Sequence, residues 1–406
     1  MSSSNSARTT RSTTASNTVK PHHTGSPPLP IYPYLTKSGL LHLKNYKYIS
    51  GLSGFIDRVI MTPFWNWCVE FIPMNIAPNL ITAVSLAHAF VATFLITGYS
   101  PSMSEQAPNW VYIVSAMCMF MYQTLDAIDG KQARRTGSSS PLGQLFDHGC
   151  DAICAFLMGI FVSSVVQFGG RWESLIVMYM HIVPFYVSNW EESCTGVMIF
   201  GLLGVTEGQF LVMSILLSTG ILGPDIWLQH IFGISIRYIL MIAGSIGGIY
   251  QTITSSYHVY EHVRDGKISA VNAFYPAVQY IITMILCTLY ALSPYTTLFT
   301  DHPYTVLLII GCVFGYQISR LIIFHVANES YVQYFYILTP LPILVINAYW
   351  PYLTQSKSLL FNDVLPAQLY LALLVAVYLH YLYSVVEQIC TYLNINCFTI
   401  VPTSVS

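Results

Sequence analysis

The chain has 406 residues, of which 54% are hydrophobic and only 8% are charged, and its formal net charge is −2. Soluble globular domains carry about 25% charged residues, so this composition excludes an ordinary soluble protein and indicates that lipid surrounds most of the chain. The near-neutral charge excludes the strongly basic surface that a nucleic-acid partner requires. The nine cysteines form no CxxC pair, which argues against a cysteine metal site.

The chain begins with a polar region. Residues 1–35 are rich in Ser, Thr and Pro and lack an apolar core, so we expect a disordered tail without a cleavable signal peptide. Residues 36–75 mix Leu, Tyr, Phe and Trp with charged side chains such as Arg58 and Glu70. This mixture predicts amphipathic helices that lie in the membrane interface, although an ordinary soluble helix fits it as well.

Apolar runs of about 20 residues, the length needed to cross a bilayer, follow one another from residue 79 onward. The runs are 79–98, 109–127, 148–167, 173–190, 205–222, 234–256, 271–292, 304–325, 332–352 and 367–388. They predict an all-α polytopic membrane protein with about ten transmembrane helices, preceded by the amphipathic interfacial segment.

The basic residues predict the orientation. With ten spans both ends of the chain lie on one side of the membrane, and 13 of the 16 Lys and Arg residues fall on that side. Positively charged loops stay in the cytosol. We therefore expect the termini, and the junction between the second and third spans, to face the cytosol.

That junction carries four aspartates. It reads TLDAIDGKQARRTGSSSPLGQLFDHGCDAI over residues 124–153. Asp126 and Asp129 are three residues apart, and Asp147 and Asp151 are four apart, so each pair shares one face of its helix. A short polar loop allows the two helices to run antiparallel and to bring the pairs together.

Small residues and the cost of buried charge point to metal binding. Gly130 and Ala133 keep the first helix narrow, and Gly143 lies one turn before Asp147. Each charge within a membrane helix costs at least ~2.5–3.5 kcal/mol, and four carboxylates repel one another. Divalent cations would neutralise them, and two such ions can hold a diphosphate for in-line displacement at phosphorus. Helix capping or pairing with basic residues is the alternative, and it suits one isolated aspartate better than four.

At these positions the sequence resembles the CDP-alcohol phosphotransferase family, in particular its eukaryotic choline/ethanolamine phosphotransferase branch. The family signature is D-x2-D-G-x2-A-R-x8-G-x3-D-x3-D. Every fixed position is matched, by Asp126, Asp129, Gly130, Ala133, Arg134, Gly143, Asp147 and Asp151. The segment Ala77–Thr82 at the start of the first span is similar to the family's entry motif, and the stretch Asp147–Asp151 resembles the eukaryotic branch.

The resemblance implies an activity and its ligands. The activity would be transfer of phosphocholine or phosphoethanolamine from CDP-choline or CDP-ethanolamine to diacylglycerol, with two Mg²⁺ or Mn²⁺ ions held by the four aspartates. The substrate-binding residues would be Asn79, Gly130, Arg134 and Gly143. The choice between choline and ethanolamine, and the acyl or ether preference for the acceptor, have no readable motif.

The resemblance also implies a general base. His148 would take this role, assisted by Glu207 in the segment VTEGQ. Asp151 as the base, the role often assigned in relatives that lack the histidine, stays open. Glu191 and Glu192 compete with Glu207 for the assisting role, but we expect those two to be solvated at the membrane interface.

The expected layout follows from these assignments. It comprises a disordered tail (1–35), interfacial helices (36–75), a six-span catalytic core (76–256), additional transmembrane helices used for dimerisation (257–395) and a C-terminal tail (396–406). By resemblance, the protein would be a homodimer in the endoplasmic reticulum or Golgi, with its active site facing the cytosol.

Two other functions fit parts of the pattern. Aspartate-rich membrane prenyltransferases also bind a diphosphate through Mg²⁺, but their two acidic motifs lie far apart in sequence. Cation transporters place carboxylates within the membrane, but they usually contain inverted repeats, and the rest of the chain does not echo residues 126–151.

Overall fold

Long apolar runs separated by Pro- and Gly-containing connections fold into helices, because a helix satisfies its own backbone hydrogen bonds in lipid. The computed structural model describes residues 32–44, 54, 56–198, 204–332, 337–356 and 359–400. Most of the predicted disordered tail (1–31) and the end of the C-terminal tail (401–406) lie outside the described residues.

The described chain is helical apart from one short hairpin. Its helices are α1 (Lys37–Leu43), α2 (Thr62–Val69), α3 (Pro78–Tyr99), α4 (Asn109–Arg135), α5 (Pro141–Val165), α6 (Trp172–Thr195), α7 (Val205–Leu222), α8 (Ile236–Arg264), α9 (Ala270–Ala291), α10 (Leu298–Asp301), α11 (Pro303–Val326), α12 (Pro340–Ala348), α13 (Trp350–Thr354) and α14 (Val364–Leu393). A π-helical turn, Asp57–Met61, precedes α2, and a 3-10 turn, Pro224–Leu228, follows α7. The strands β1 (His230–Ile231) and β2 (Ile234–Ser235) pair antiparallel before α8.

Local sequence signals set the helix ends. Pro78 and Pro141 stand in the first turn of α3 and α5, where the missing N–H costs nothing. Ser140 caps α5, since its Oγ accepts the Gly143 N–H at 3.3 Å. Gly196 ends α6 in the left-handed region, with φ 77°.

Seven of the described helices are long and apolar enough to cross a membrane: α3, α4, α5, α7, α9, α11 and α14. The expectation of ten spans is therefore not met. The helices α6 and α8, with 24 and 29 residues, are long enough but less apolar. The run 332–352 contains the short helices α12 and α13 rather than one long helix, and Pro340 and Pro351 start them; its residues 333–336 lie outside the described residues.

The helices pack around α11. This helix contacts α5, α6 and α14, and almost all of its residues are buried. The helix α3 packs against α4 and α5, α7 rests mainly on α4, and α8 rests mainly on α6. The predicted boundary between the core and the additional helices, at residues 256 and 257, falls inside α8.

The N-terminal end of the described chain attaches to the C-terminal helices. Residues 32–35, the last four of the predicted disordered tail, contact α14: Leu35 N–H donates to Gln388 Oε1 at 3.1 Å, and Gln388 Nε2 donates to the Tyr32 carbonyl at 2.6 Å. The Thr36 hydroxyl donates to Glu329, just beyond α11, at 2.6 Å. In the predicted interfacial region, the helix α2 is bound to the end of α4, where Arg135 donates to the Val69 carbonyl at 2.8 Å.

Close packing of α5 on α6 gives a test of the fold. A Cβ at Gly159 would lie 3.0 Å from Cα of Met178, so Gly159→Ala should separate the helices and cost about 1–3 kcal/mol. We expect a lower midpoint of thermal unfolding in detergent. At Gly149, on the same helix, an added Cβ meets nothing within 4 Å, so Gly149→Ala should be at least as stable as the wild type. Equal stability of the two variants would contradict this packing.

Candidate metal and substrate site

The hairpin of α4 and α5 carries the acidic residues, as the spacing predicted. Residues 136–140 connect the helices, and the Thr136 hydroxyl donates to the Gln132 carbonyl at 2.8 Å at the end of α4. Ser140 then caps α5. The turn is short and internally hydrogen-bonded, so it brings the last turns of α4 and the first turns of α5 to the same end of the bundle.

Three aspartates converge. One carboxylate oxygen from each of Asp126, Asp147 and Asp151 lies within 4.8 Å of the others. Two unit charges at this separation repel by about 3 kcal/mol when the effective dielectric constant is about 20. The cluster is therefore unfavourable unless a cation or a proton neutralises it.

The fourth aspartate lies beside this cluster but has its own partner. Asp129 is buried, and its Oδ2 accepts a hydrogen bond from the Thr82 hydroxyl on α3. Thr82 lies one turn after Asn79, so the start of α3 is directed toward the acidic hairpin. The structure brings together three of the four predicted metal ligands. The fourth, Asp129 of α4, is hydrogen-bonded to Thr82 of α3 instead.

The donor set fits a divalent cation. Oδ1 of Asp126 and Oδ1 of Asp147 are shielded from solvent and accept no hydrogen bond from the described residues. Buried carboxylate oxygens without donors are the ligands that Mg²⁺ and Mn²⁺ prefer. Tyr122, one turn before Asp126, donates its hydroxyl to Asp151 Oδ1 at 2.6 Å and orients that carboxylate.

A cavity of about 870 Å³, here called the chamber, opens from this cluster between α5, α6, α7 and α8. The α5 face that lines it comprises His148, Asp151, Ala155, Met158, Val162 and Val166. These residues follow helical spacing, and the 15 residue steps from Asp151 to Val166 span about 22 Å. The chamber is therefore polar at the aspartate end and apolar along the rest of α5.

The structure gives the predicted substrate-binding residues different positions. Arg134 lines the chamber on α4, about two helical turns after Asp126. Asn79 lies next to Gly143 instead, since a Cβ on that glycine would be 3.6 Å from Asn79 Oδ1. A Cβ on Gly130 would be 3.6 Å from a guanidinium nitrogen of Arg134. Both glycines thus border the polar groups expected to hold the nucleotide.

His148 and Glu207 line the same chamber, but Glu207 is engaged elsewhere. Its Oε2 accepts the Gly204 N–H at 3.0 Å, which caps α7, and its Oε1 accepts the Ile56 N–H at 3.1 Å. The imidazole of His148 is buried beside the Asn189 side chain on α6. Assistance of His148 by Glu207 stays a prediction.

The expectation for Glu191 and Glu192 is wrong. Both are buried, and Glu191 is fully enclosed between α6 and α8, where Ser255 and His258 donate to it. Helical spacing does not reveal this partnership, because the residues are more than 60 positions apart. Sequence reasoning assigned no role to Thr82, although it lies in the segment Ala77–Thr82, and it missed Tyr122, which stands one helical turn before Asp126.

Comparison with known proteins agrees with this geometry. A family model described as CDP-alcohol phosphatidyltransferase matches residues 75–191, which include the whole acidic hairpin. The uncharacterized CDP-alcohol phosphatidyltransferase class-I family protein 3 of Dictyostelium discoideum is 33% identical over 401 residues, covering 90% of this chain and 98% of the relative. The chain belongs to the CDP-alcohol phosphatidyltransferase family.

Other relatives of this CDP-alcohol phosphatidyltransferase have more specific names. Cholinephosphotransferase 1 of Rattus norvegicus is 34% identical over 306 residues, covering 74% of this chain and 77% of the relative. Choline/ethanolaminephosphotransferase 1 of Arabidopsis thaliana is 31% identical over 389 residues, covering 90% and 98%. Membership of the family implies a CDP-alcohol and a lipid acceptor as substrates and a divalent metal, and it decides against the prenyltransferase and transporter alternatives.

Metal binding by this phosphatidyltransferase can be tested without turnover. We expect Mn²⁺ to raise the thermal midpoint of the wild-type protein. Asp147→Asn removes one of the repelling carboxylates, so this variant should be more stable than wild type in metal-free buffer and should gain little from Mn²⁺. Asp57→Asn, which lines the chamber outside the carboxylate cluster, is the matched control and should respond to Mn²⁺ like wild type. An undiminished response of Asp147→Asn would contradict ligation.

Tyr122 should act on the metal site through Asp151. Tyr122→Phe leaves that carboxylate unoriented, so Mn²⁺ affinity, measured by titration calorimetry, should fall by about 10-fold or more. Tyr112→Phe, on the same helix, is the control. The Tyr112 hydroxyl donates no hydrogen bond to the carboxylate cluster among the described residues, and it accepts the Ala107 N–H at 2.9 Å. Equal Mn²⁺ affinities in the two variants would refute the role of Tyr122.

Proposed function

We propose that the protein transfers phosphocholine, phosphoethanolamine or both from the CDP-alcohol to diacylglycerol, giving phosphatidylcholine or phosphatidylethanolamine and CMP. The observation that carries this proposal is the carboxylate cluster at the polar end of a long apolar chamber. A diphosphate and a lipid hydroxyl can meet there while the acyl chains remain among apolar side chains. The printed names of the relatives support choline and ethanolamine as the alcohols.

The metal ligands would be Asp126, Asp129, Asp147 and Asp151. When bound, two Mg²⁺ or Mn²⁺ ions would neutralise the diphosphate and the charge that develops on the leaving phosphate. Release of Asp129 from Thr82 would complete the set of four.

The chain's own residues would hold the CDP-alcohol. Arg134 lies where a guanidinium can contact phosphate oxygens, and Asn79 stands at the start of α3 beside Gly143. The lack of side chains at Gly130 and Gly143 leaves room for the nucleotide next to these two groups.

His148 would supply general base catalysis. It would accept the proton of the diacylglycerol hydroxyl while the hydroxyl oxygen attacks the phosphorus that bears choline or ethanolamine. The new O–P bond forms as the bond from that phosphorus to the CMP oxygen breaks, and CMP leaves with the electron pair. Histidine suits this step because a neutral imidazole nitrogen can accept a proton from an alcohol within hydrogen-bond reach.

The apolar walls would hold the acceptor. The α5 face from Ala155 to Val166 and residues of α6, α7 and α8 surround the chamber over a length comparable to an acyl chain. The chamber buries apolar surface along this length, which favours a lipid over a soluble alcohol.

The cellular setting is proposed from resemblance and charge. The acidic hairpin would face the cytosol, where CDP-alcohols are soluble, in the endoplasmic reticulum or Golgi membrane. Residues 76–256 would form the catalytic core, and the helices from residue 257 onward would contribute the contacts of a homodimer.

An assay with purified protein tests the activity. Protein in lipid–detergent micelles receives diacylglycerol, Mg²⁺ or Mn²⁺, and CDP-choline and CDP-ethanolamine labelled with different isotopes, so that both products are measured in one mixture. We expect labelled phospholipid that requires the divalent cation. No lipid product from either nucleotide would refute the proposal, and the product ratio would identify the preferred alcohol.

The base is tested by His148→Ala. We expect a fall in kcat of about 10²–10⁴-fold with little change in CDP-alcohol binding, since general base catalysis contributes about that much. Raising the pH should restore part of the rate because the alcohol then ionises more readily. His181→Ala is the control: His181 lines the same chamber on α6 but bonds only within its own helix in the described structure, to the Val177 carbonyl at 2.8 Å. A loss of nucleotide affinity in His148→Ala would instead assign His148 to binding.

A further inference from the structure

The helix α8 is the outer wall of the chamber. Its buried residues are Met241, Ser255 and Val259, whereas the isoleucines on its opposite face, among them Ile246 and Ile253, are more than half exposed. An exposed apolar helix face of this kind is suited to contact with lipid. The wall that separates the chamber from the bilayer is thus attached along one side, to α6.

The middle of this attachment has little side-chain interdigitation. Gly244 and Gly248 line the chamber and face Met180 and Pro184 of α6. A Cβ at Gly248 would be in ordinary contact with the Pro184 ring, at 3.5 Å, while at Gly244 the end of the Met180 side chain fills the space. Glycines contribute few apolar contacts, so the position of α8 depends on polar contacts near its two ends.

The contacts at the aspartate end, here called the inner anchor, centre on Glu191 of α6. Its Oε2 accepts the Ser255 hydroxyl at 2.6 Å, and its Oε1 contacts His258 Nδ1 at 2.5 Å. A carboxylate only accepts, so Nδ1 of His258 carries the proton in this contact. Glu191 and Ser255 are fully buried, and such charge-assisted hydrogen bonds are strong where water is excluded.

The inner anchor is continuous with the chamber lining. Gln251 Nε2 donates to the Ser255 hydroxyl at 3.1 Å and to the Ser188 hydroxyl at 3.3 Å. Gln251 and Ser188 both line the chamber, and Asn189, the next residue on α6, lies beside His148. Movement of α8 at this anchor would therefore change the shape of the chamber next to the reacting groups.

The opposite end of α8 has a separate set of contacts. Tyr238 donates its hydroxyl to Glu173 Oε1 at 2.9 Å, and Arg237 donates to the Gln167 carbonyl at 2.8 Å. These contacts hold the start of α8 whether or not the inner anchor is intact. Loss of the inner anchor should therefore let the C-terminal part of α8, near the aspartates, move while its N-terminal end stays attached.

We propose that Glu191 is a positioning residue for the lipid acceptor: by holding Ser255 and His258 it sets the position of α8, and so the width of the chamber where diacylglycerol binds. This inference rests on the proposed function, because it names the acceptor as the ligand of the chamber. The nucleotide site, built from α3, α4 and the start of α5, does not touch the anchor.

The test is a comparison of KM values. Glu191→Gln keeps the size of the side chain but removes its charge and leaves one acceptor oxygen for two donors, Ser255 and His258. We expect the KM for diacylglycerol to rise on the order of tenfold, while the KM for the CDP-alcohol changes by less than about twofold. Glu261→Gln is the matched control on α8, because its half-buried carboxylate contacts only Tyr257 and Arg264 among the described residues, and it should behave like wild type.

Two further measurements separate positioning from general stability. The exchanged pair Glu191→His with His258→Glu recreates the contact in reverse and should recover most of the diacylglycerol KM. Hydrogen exchange of the α8 amides 251–259, around the inner anchor, should be faster in Glu191→Gln and unchanged in Glu261→Gln. Parallel rises in both KM values, a fall in kcat alone, or unchanged exchange would overturn the inference.

Failure of the proposed function would look different. The wild-type protein would then form no phospholipid from diacylglycerol, whereas the exchange comparison would still show whether Glu191 holds α8. Faster exchange without diacylglycerol turnover would refute the acceptor role and leave the anchor standing, and normal turnover with unchanged exchange would refute the anchor alone.

Discussion

Mutual repulsion of carboxylates within a membrane is the constraint on which the site depends. Asp126, Asp147 and Asp151 bring negative charge together at one end of a helix hairpin, where solvent reaches their inner oxygens poorly. This cluster of carboxylates is energetically favourable only when positive charge binds within it, so the hairpin binds cations preferentially. Tyr122 and Thr82 hold the carboxylates in place with hydrogen bonds and bring no charge of their own.

The surrounding helices turn this charge cluster into a place where a polar and an apolar molecule can meet. α5 carries both ends of the chamber on one face, from His148 to Val166. α6 packs against α5, and near its C-terminal end the polar residues Ser188, Asn189 and Glu191 connect the neighbourhood of His148 with the wall helix α8. The same few residues of α6 thus serve the reacting end of the chamber and the attachment of its wall.

The differences between expected and observed spans have a consistent cause. Hydropathy predicted the ends of the mostly apolar helices, such as α3 and α11, to within a few residues. It failed at helix ends that are polar: α4 continues to Arg135 and α5 begins at Pro141. It overestimated the region 332–352, where prolines interrupt an apolar run. It also treated α6 and α8 as ordinary spans, although polar residues on those helices form buried contacts with each other.

The hairpin and the pairing of its four aspartates could be predicted without tertiary information, because helical spacing places residues three or four apart on one face whatever the rest of the chain does. The family could be predicted from the matched motif. Tertiary structure alone decided what those faces meet. Glu191 became a buried anchor, Glu207 became a helix cap bound to Ile56, and Asn79 came to lie beside Gly143. Each of these outcomes depends on helices that are distant in sequence, and periodicity describes the direction of a side chain but contains no information about its partner.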